Sequence, residues 1–394
     1  MKFKYIEFIR AFAAIIVLIG HIACDVPYLI QNKFLYLQMI AAWGPQAVVI
    51  FFVLSGVVIN HTSKTYSNQT WSGFLKKRAI RIFPIYYFAL VCVLIIDFAT
   101  QFELQGIKNY IGSFFFLATL EGYITGVPNT ISTVWSLSFE VFFYIIFSFT
   151  IVKNQKKIMY IWSIFSIFCL IGSYFSITDI GIIKHFILMF SLSAIWLVGY
   201  YIYEFKDKLK SNLVTAIFSF SIIPLVSRLN ISSNIHDPII FLLISVLCLP
   251  LFIYSLNQNL KEESLIKKHR YTISPLFYIP IYFISAILLI KFSQSLFKSK
   301  LLYIIIPLLS YLIHFSIFKN ILKFIFQKLE RILIFIASVS YGLYLIHLPI
   351  IYFFGRIMPN FFVSSLILII MSSFFCSYLL EKYFQKKMNR LFSK

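Results

Sequence analysis

Apolar stretches recur from one end of the chain to the other, broken by short polar or basic interruptions. A helix needs about 20 apolar residues to cross a bilayer, and many of these stretches reach that length. Candidate spans fall near 6–23, 44–61, 82–100, 134–152, 158–178, 183–203, 213–229, 238–257, 271–291, 300–318, 332–354 and 361–380. The pattern predicts an all-α fold, a polytopic membrane helix bundle of about 10–12 transmembrane helices. The apolar segment Tyr110–Leu120 is too short to span and is expected to be re-entrant or interfacial. No internal repeat or low-complexity tract appears, so a single transmembrane domain over 1–381 with a short basic tail at 382–394 is expected. Glu7 and Arg10 interrupt the first apolar segment, and no small-residue cleavage site follows it. It is therefore read as a retained span rather than a signal peptide.

Composition strengthens this picture. Hydrophobic residues make up 60% of the 394 and charged residues only 12%, against about 25% charged in a soluble domain. The net charge of +21 could suggest a nucleic-acid partner, but the placement of the charge argues against one. With a cytoplasmic N-terminus, 26 Lys and Arg fall in inner-side segments and 8 in outer segments or at span edges there, with Arg10 inside a span. That asymmetry follows the positive-inside rule and places both termini in the cytoplasm. The five cysteines form no CxxC pair and lie in or beside apolar segments, so neither a disulfide framework nor a metal site is expected.

Ionisable residues inside spans are costly and are therefore functional candidates. Glu7 and Arg10 stand at i, i+3 and can pair on one helix face. His21 follows Arg10 by eleven residues, about three turns, which places it on the same face roughly 16 Å away. Glu140 is the one carboxylate well inside a span, roughly 9 Å below the outer surface by helix rise. His21 and His347 come out at a similar depth, an arrangement that suits a general base with orienting partners. A hydrogen-bonded packing cluster is the plainer alternative, as snorkelling is for Arg10. Arg78 and Arg81, ahead of Pro84, are expected to project from the start of the third span. Paired guanidiniums beside a helix N-terminus suit a phosphate, although a topology-setting basic cluster would look the same.

Five motifs in order resemble the membrane-bound acyltransferase family 3, whose members O-acetylate bacterial surface glycans. The first is Glu7-x-x-Arg10 with His21 eleven residues after the arginine. The second is Phe51-Phe52-Val53-Leu54-Ser55-Gly56, and the third is Arg78-x-x-Arg81-Ile82-x-Pro84-x-Tyr86. The fourth is Trp135-Ser136-Leu137-Ser138-Phe139-Glu140-x-x-Phe143-Tyr144, and the last is Ser340-Tyr341 to Tyr344-Leu345-x-His347. Glu7 stands where an Asp is usual in that family. The family is commonly described with ten spans, and many members carry a fused esterase-like domain for which this chain has no room. A stand-alone form is expected, with a protein partner possible in place of that domain.

The resemblance implies a multi-pass protein of the bacterial inner membrane and a cytoplasmic acyl-CoA donor, by family default acetyl-CoA. It implies a cell-surface or lipid-linked glycan acceptor, with no metal and no nucleic acid. Arg10, Arg78 and Arg81 would hold the donor, His21 would act as general base and Glu140 would orient it. Glu7, Ser55, Tyr144, Tyr344 and His347 would support the substrates. The alternative is a transporter or flippase of a lipid-linked saccharide, for which many spans and intramembrane charges are also usual. Inverted repeats would favour it, and none is visible in the sequence.

Overall fold

The computed structural model describes residues 4–26, 43–65, 70–99, 107–151, 155–175, 178–229, 237–260, 271–292, 297–310, 316–358 and 362–392. Helices come in the order α1 (Lys4–Asp25), α2 (Gly44–Thr65), α3 (Trp71–Ala99), α4 (Ile107–Phe114), α5 (Trp135–Thr150), α6 (Gln155–Phe175) and α7 (Gly181–Glu204). They continue with α8 (Leu213–Ser221), α9 (Ile223–Val226), α10 (Pro238–Leu260), α11 (Ile279–Phe292), α12 (Phe297–Ser310), α13 (Ser316–Ile357), α14 (Phe362–Leu379) and α15 (Gln385–Phe392). A two-residue parallel pairing, Leu209–Lys210 with Tyr271–Thr272, is the only sheet among the described residues. Nine helices there are long and apolar enough to cross a membrane, and Leu213–Val226 and Pro275–Lys291 are shorter apolar segments. The protein is a polytopic all-α membrane protein.

Two expected spans differ in detail, each where proline falls. The 213–229 stretch breaks into α8 and α9 because Pro224 sits in the first turn of the second piece, where its missing N–H does no harm. The 271–291 stretch opens with a short strand and a 3₁₀ turn starting at Pro275 before α11 begins. Of the 300–318 stretch, residues up to Ser310 lie in α12, and residues 311–315 lie outside the described set. The expected 332–354 span belongs to a 42-residue helix, about 63 Å long and so twice the hydrocarbon thickness. The short apolar segment near 110–120 forms α4 and then turns. There Phe116 adopts φ 57° and stacks on Tyr86 at 4.4 Å, whose hydroxyl donates to the Ser113 carbonyl at 2.6 Å.

The described residues group into two compact units. One takes Met1–Ala13, Pro45–Thr65 and Ile195–Ala337; the other takes Ala14–Gly44, Tyr66–Ala194 and Ser338–Lys394.

In the first unit, small residues let backbones meet. A Cβ on Gly56 would run into the Trp196 carbonyl and lie 2.8 Å from the Tyr200 nitrogen, and one on Gly199 would run into the Val53 carbonyl. Close approach of this kind is how membrane helices gain dispersion energy without a hydrophobic drive. Trp196 Nε1 donates to Ser55 at 3.2 Å beside this crossing.

In the second unit, α6 shows the same logic on a lipid-facing helix. Met159, Trp162, Ser166 and Cys169 recur at helical spacing on its buried face. Ile161, Phe165, Phe168 and Phe175 are exposed, which suits contact with lipid rather than water. Trp162 and Ser166 share hydrogen bonds with Ser193 of α7 at 2.9 and 2.7 Å, polar links between apolar surfaces.

A third span opening near 82 would put Pro84 in its first turn. Pro84 lies well inside α3 instead, because the helix begins at Trp71. A mid-helix proline removes the N–H that would bond the carbonyl four residues back, here that of Ile80. Gln385, 3% exposed, fills that vacancy by donating to the Ile80 carbonyl at 2.7 Å. Tyr341 donates to the neighbouring Ile82 carbonyl at 2.8 Å. The proline thus frees one acceptor, the Ile80 carbonyl, through which α15 is bound to α3.

Candidate functional site

Glu7 and Arg10 pair as their spacing predicts. One guanidinium nitrogen reaches both carboxylate oxygens of Glu7, at 3.0 and 2.9 Å, within the first unit. That pairing lowers the cost of carrying both charges on an apolar helix.

The second unit holds the remaining ionisable candidates, in two clusters. The first is built around histidine. His21 and Asp25 stand at i, i+4 on α1, and Nδ1 meets the Asp25 carboxylate at 2.9 Å. The other oxygen of Asp25 accepts from the Tyr352 hydroxyl of α13 at 3.4 Å. His347, also on α13, lies with its ring centroid 5.2 Å from that of His21. His347 is 1% exposed; its Nδ1 is bound to the Leu343 carbonyl at 2.8 Å, and its Nε2 is buried with no hydrogen-bond partner. His21 is partly open, with 29% of its side chain exposed.

The second cluster joins Glu140 to the arginines. Tyr144, one turn along α5, donates to Glu140. Arg78 lies over the rings of Tyr144 and Phe74, at 5.7 and 5.4 Å. Arg81 forks onto Glu381 at 2.7 and 2.9 Å and lies 5.1 Å from the ring centroid of Tyr341. Glu381 also accepts from the backbone N–H of Gly342 at 3.2 Å. It sits in a π-helical segment, Leu380–Phe384, that interrupts the helical run between α14 and α15. The charge of Glu140 is within range of Arg81, Tyr341 and Tyr344. Tyr344 in turn bonds Ser136 at 2.7 Å and the Thr133 carbonyl at 2.8 Å.

Two expectations are corrected here. Arg78 and Arg81 do not project from a helix start, since two turns of α3 precede them. The exposed N–H groups and dipole of a helix N-terminus therefore do not add to their anion affinity. The carboxylate that holds His21 is Asp25 and not Glu140, which is engaged by Tyr144. Asp25 was passed over because α1 runs beyond the expected end of the span at 23, so a residue read as loop is helical. Its signal was present in the sequence, a carboxylate four residues after a histidine. Glu381 and Gln385 are hidden at and just past the expected end of the domain, beside basic residues that read as a tail. Tyr352 had no signal beyond its place in an apolar run. Ser55 belongs to the first unit, beside Trp196. Among the described residues, no three His, Cys, Asp or Glu converge as a metal site.

Membrane-crossing helices that carry a carboxylate-held imidazole and clustered guanidiniums define a polytopic membrane protein with polar chemistry built among its spans. The sequence matches the family model for an acyltransferase domain, acyltransferase 3, over residues 3–382. The chain belongs to that family and is a membrane acyltransferase. No curated protein and no solved structure matches it.

Proposed function

We propose that this protein transfers an acyl group, by family default acetyl, from a coenzyme A thioester to a hydroxyl of a cell-surface or lipid-linked glycan. The observation that carries the reading is the His21 imidazole, partly exposed and held through Nδ1 by a carboxylate. A neutral imidazole can take a hydroxyl proton near neutral pH. In this reading the acceptor proton moves to His21 Nε2 as the hydroxyl oxygen bonds to the thioester carbonyl carbon. The C–S bond then breaks, and the thiolate leaves with a proton from the imidazolium. Ester and free thiol are the products.

Arg78 and Arg81 are assigned to the donor phosphates, because guanidinium groups bind phosphate oxygens well; Glu381 already holds one face of the Arg81 fork, so phosphate would meet its remaining N–H groups. Arg10 is assigned to the donor by the family resemblance, and Glu7 holds it. Glu140 keeps a supporting role through Tyr144 and the charge it presents to Arg81. Membership of an acyltransferase family favours this reading over a saccharide flippase.

The test is incubation of detergent-purified protein with acetyl-labelled acetyl-CoA and a glycan or lipid-linked glycan extract. Label entering the glycan, with free coenzyme A released in step, supports the reading. A protein that moves lipid-linked saccharide across vesicles and leaves the thioester intact contradicts it.

A further inference from the structure

We propose that Asp25 is a positioning residue for the transfer reaction. By accepting the Nδ1–H of His21 it fixes one tautomer and leaves Nε2 as the basic atom. This rests on the reading of His21 as the base.

An ionised carboxylate can only accept a hydrogen bond, so the ring nitrogen facing it must carry the proton. The contact is 2.9 Å between residues one helical turn apart, and it needs no distortion of α1. Asp25 is itself held from a second helix, since Tyr352 of α13 donates to its other oxygen. On α13, Tyr352 donates to Asp25, and His347 Nδ1 is bound to the Leu343 carbonyl. The His347 ring packed at 5.2 Å also limits rotation of the His21 imidazole. With the ring fixed and Nδ1 protonated, the remaining lone pair is on Nε2. The carboxylate also stabilises the imidazolium formed when that lone pair takes a proton.

The experiment compares Asp25→Asn, Asp25→Glu, Tyr352→Phe and His21→Ala as purified full-length proteins. Asparagine keeps the shape, but its amide can donate to Nδ1 and force the opposite tautomer. Asp25→Asn is expected to lower kcat by about 10²- to 10⁴-fold, as such a change does in a catalytic triad. KM for acetyl-CoA and the thermal unfolding midpoint should stay near the wild type. Asp25→Glu should recover part of the rate, and Tyr352→Phe should lower kcat by roughly 3- to 10-fold. Ring ¹⁵N shifts of labelled histidine should show His21 protonated at Nδ1 in the wild type and lose that signature in Asp25→Asn. A purely structural role would lower the yield of folded protein and leave the kcat of the folded fraction and the tautomer unchanged.

Near wild-type kcat in Asp25→Asn, or an unchanged tautomer, overturns the proposal. If Asp25→Asn fails to insert, an undiminished kcat in both Asp25→Glu and Tyr352→Phe overturns it. An active His21→Ala sinks the base reading itself, whereas an inactive His21→Ala beside an active Asp25→Asn sinks only this inference.

Discussion

Side chains in this protein rarely act alone, and the two histidines make the point. Each is anchored through Nδ1, His21 to a carboxylate and His347 to a backbone carbonyl. Only the first anchor is charged, and only the first ring is partly exposed, with His347 almost fully buried. That difference is the ground on which the proposed reading gives the reactive role to His21 and a packing role to His347. Arg81 is similarly tied, and its tie governs how a mutation there must be read. The Glu381 side chain is only 5% exposed, so Arg81→Ala would leave a buried carboxylate without its partner, a change that is itself strongly destabilising. The informative variant is the double Arg81→Ala/Glu381→Gln. We expect it to fold like Glu381→Gln alone, yet to bind coenzyme A at least about tenfold more weakly, by loss of a charge-assisted fork. Arg81→Lys should recover part of that affinity, because the charge remains and the fork does not. Isothermal titration with coenzyme A decides it, and equal affinity in all three would remove Arg81 from the donor site. At this scale the sequence displayed His21, Glu140 and the arginines, because an ionisable residue in an apolar run stands out. It concealed Asp25, Glu381 and Tyr352, because residues at span ends or in basic runs look solvated until the helices that cover them are placed.

Individual helices show which parts of a membrane fold a sequence can declare. Hydrophobic length located the spans well, since lipid imposes a length that soluble folds do not. It was weakest at proline. The residue Pro84 suggested a helix start, but helix continues for thirteen residues before it, and a side chain from α15 meets the carbonyl it leaves open. No local pattern reveals such a long-range repair. It makes a coupled prediction. Gln385→Leu should lower stability by about 1–3 kcal/mol, the usual cost of an unsatisfied buried carbonyl. Pro84→Ala in the same chain should recover much of that loss, because the restored N–H can bond Ile80 directly. Thermal unfolding in detergent of both single variants and the double variant measures the coupling. Strict additivity of the two effects would refute it.

Across the whole molecule, the distribution of Lys and Arg predicts that both ends of the chain face the cytoplasm. A reporter fused after Lys394 should read cytoplasmic, and a cysteine replacing Asn129 should react with an impermeant reagent from outside. Reaction only in permeabilised cells would reverse the topology. Family membership and the nine long apolar helices among the described residues make the chain a membrane acyltransferase. In the proposed reading its chemistry turns on one imidazole, and this is tested most directly by acylated glycan formed per unit of membrane-inserted His21→Ala protein, with coenzyme A binding measured in parallel. The predicted result is loss of acylation to background, about 10²-fold or more for removal of a general base, with normal insertion and unchanged donor binding. Acylation near the wild-type level in that variant would contradict the account and move the search for the base to His347.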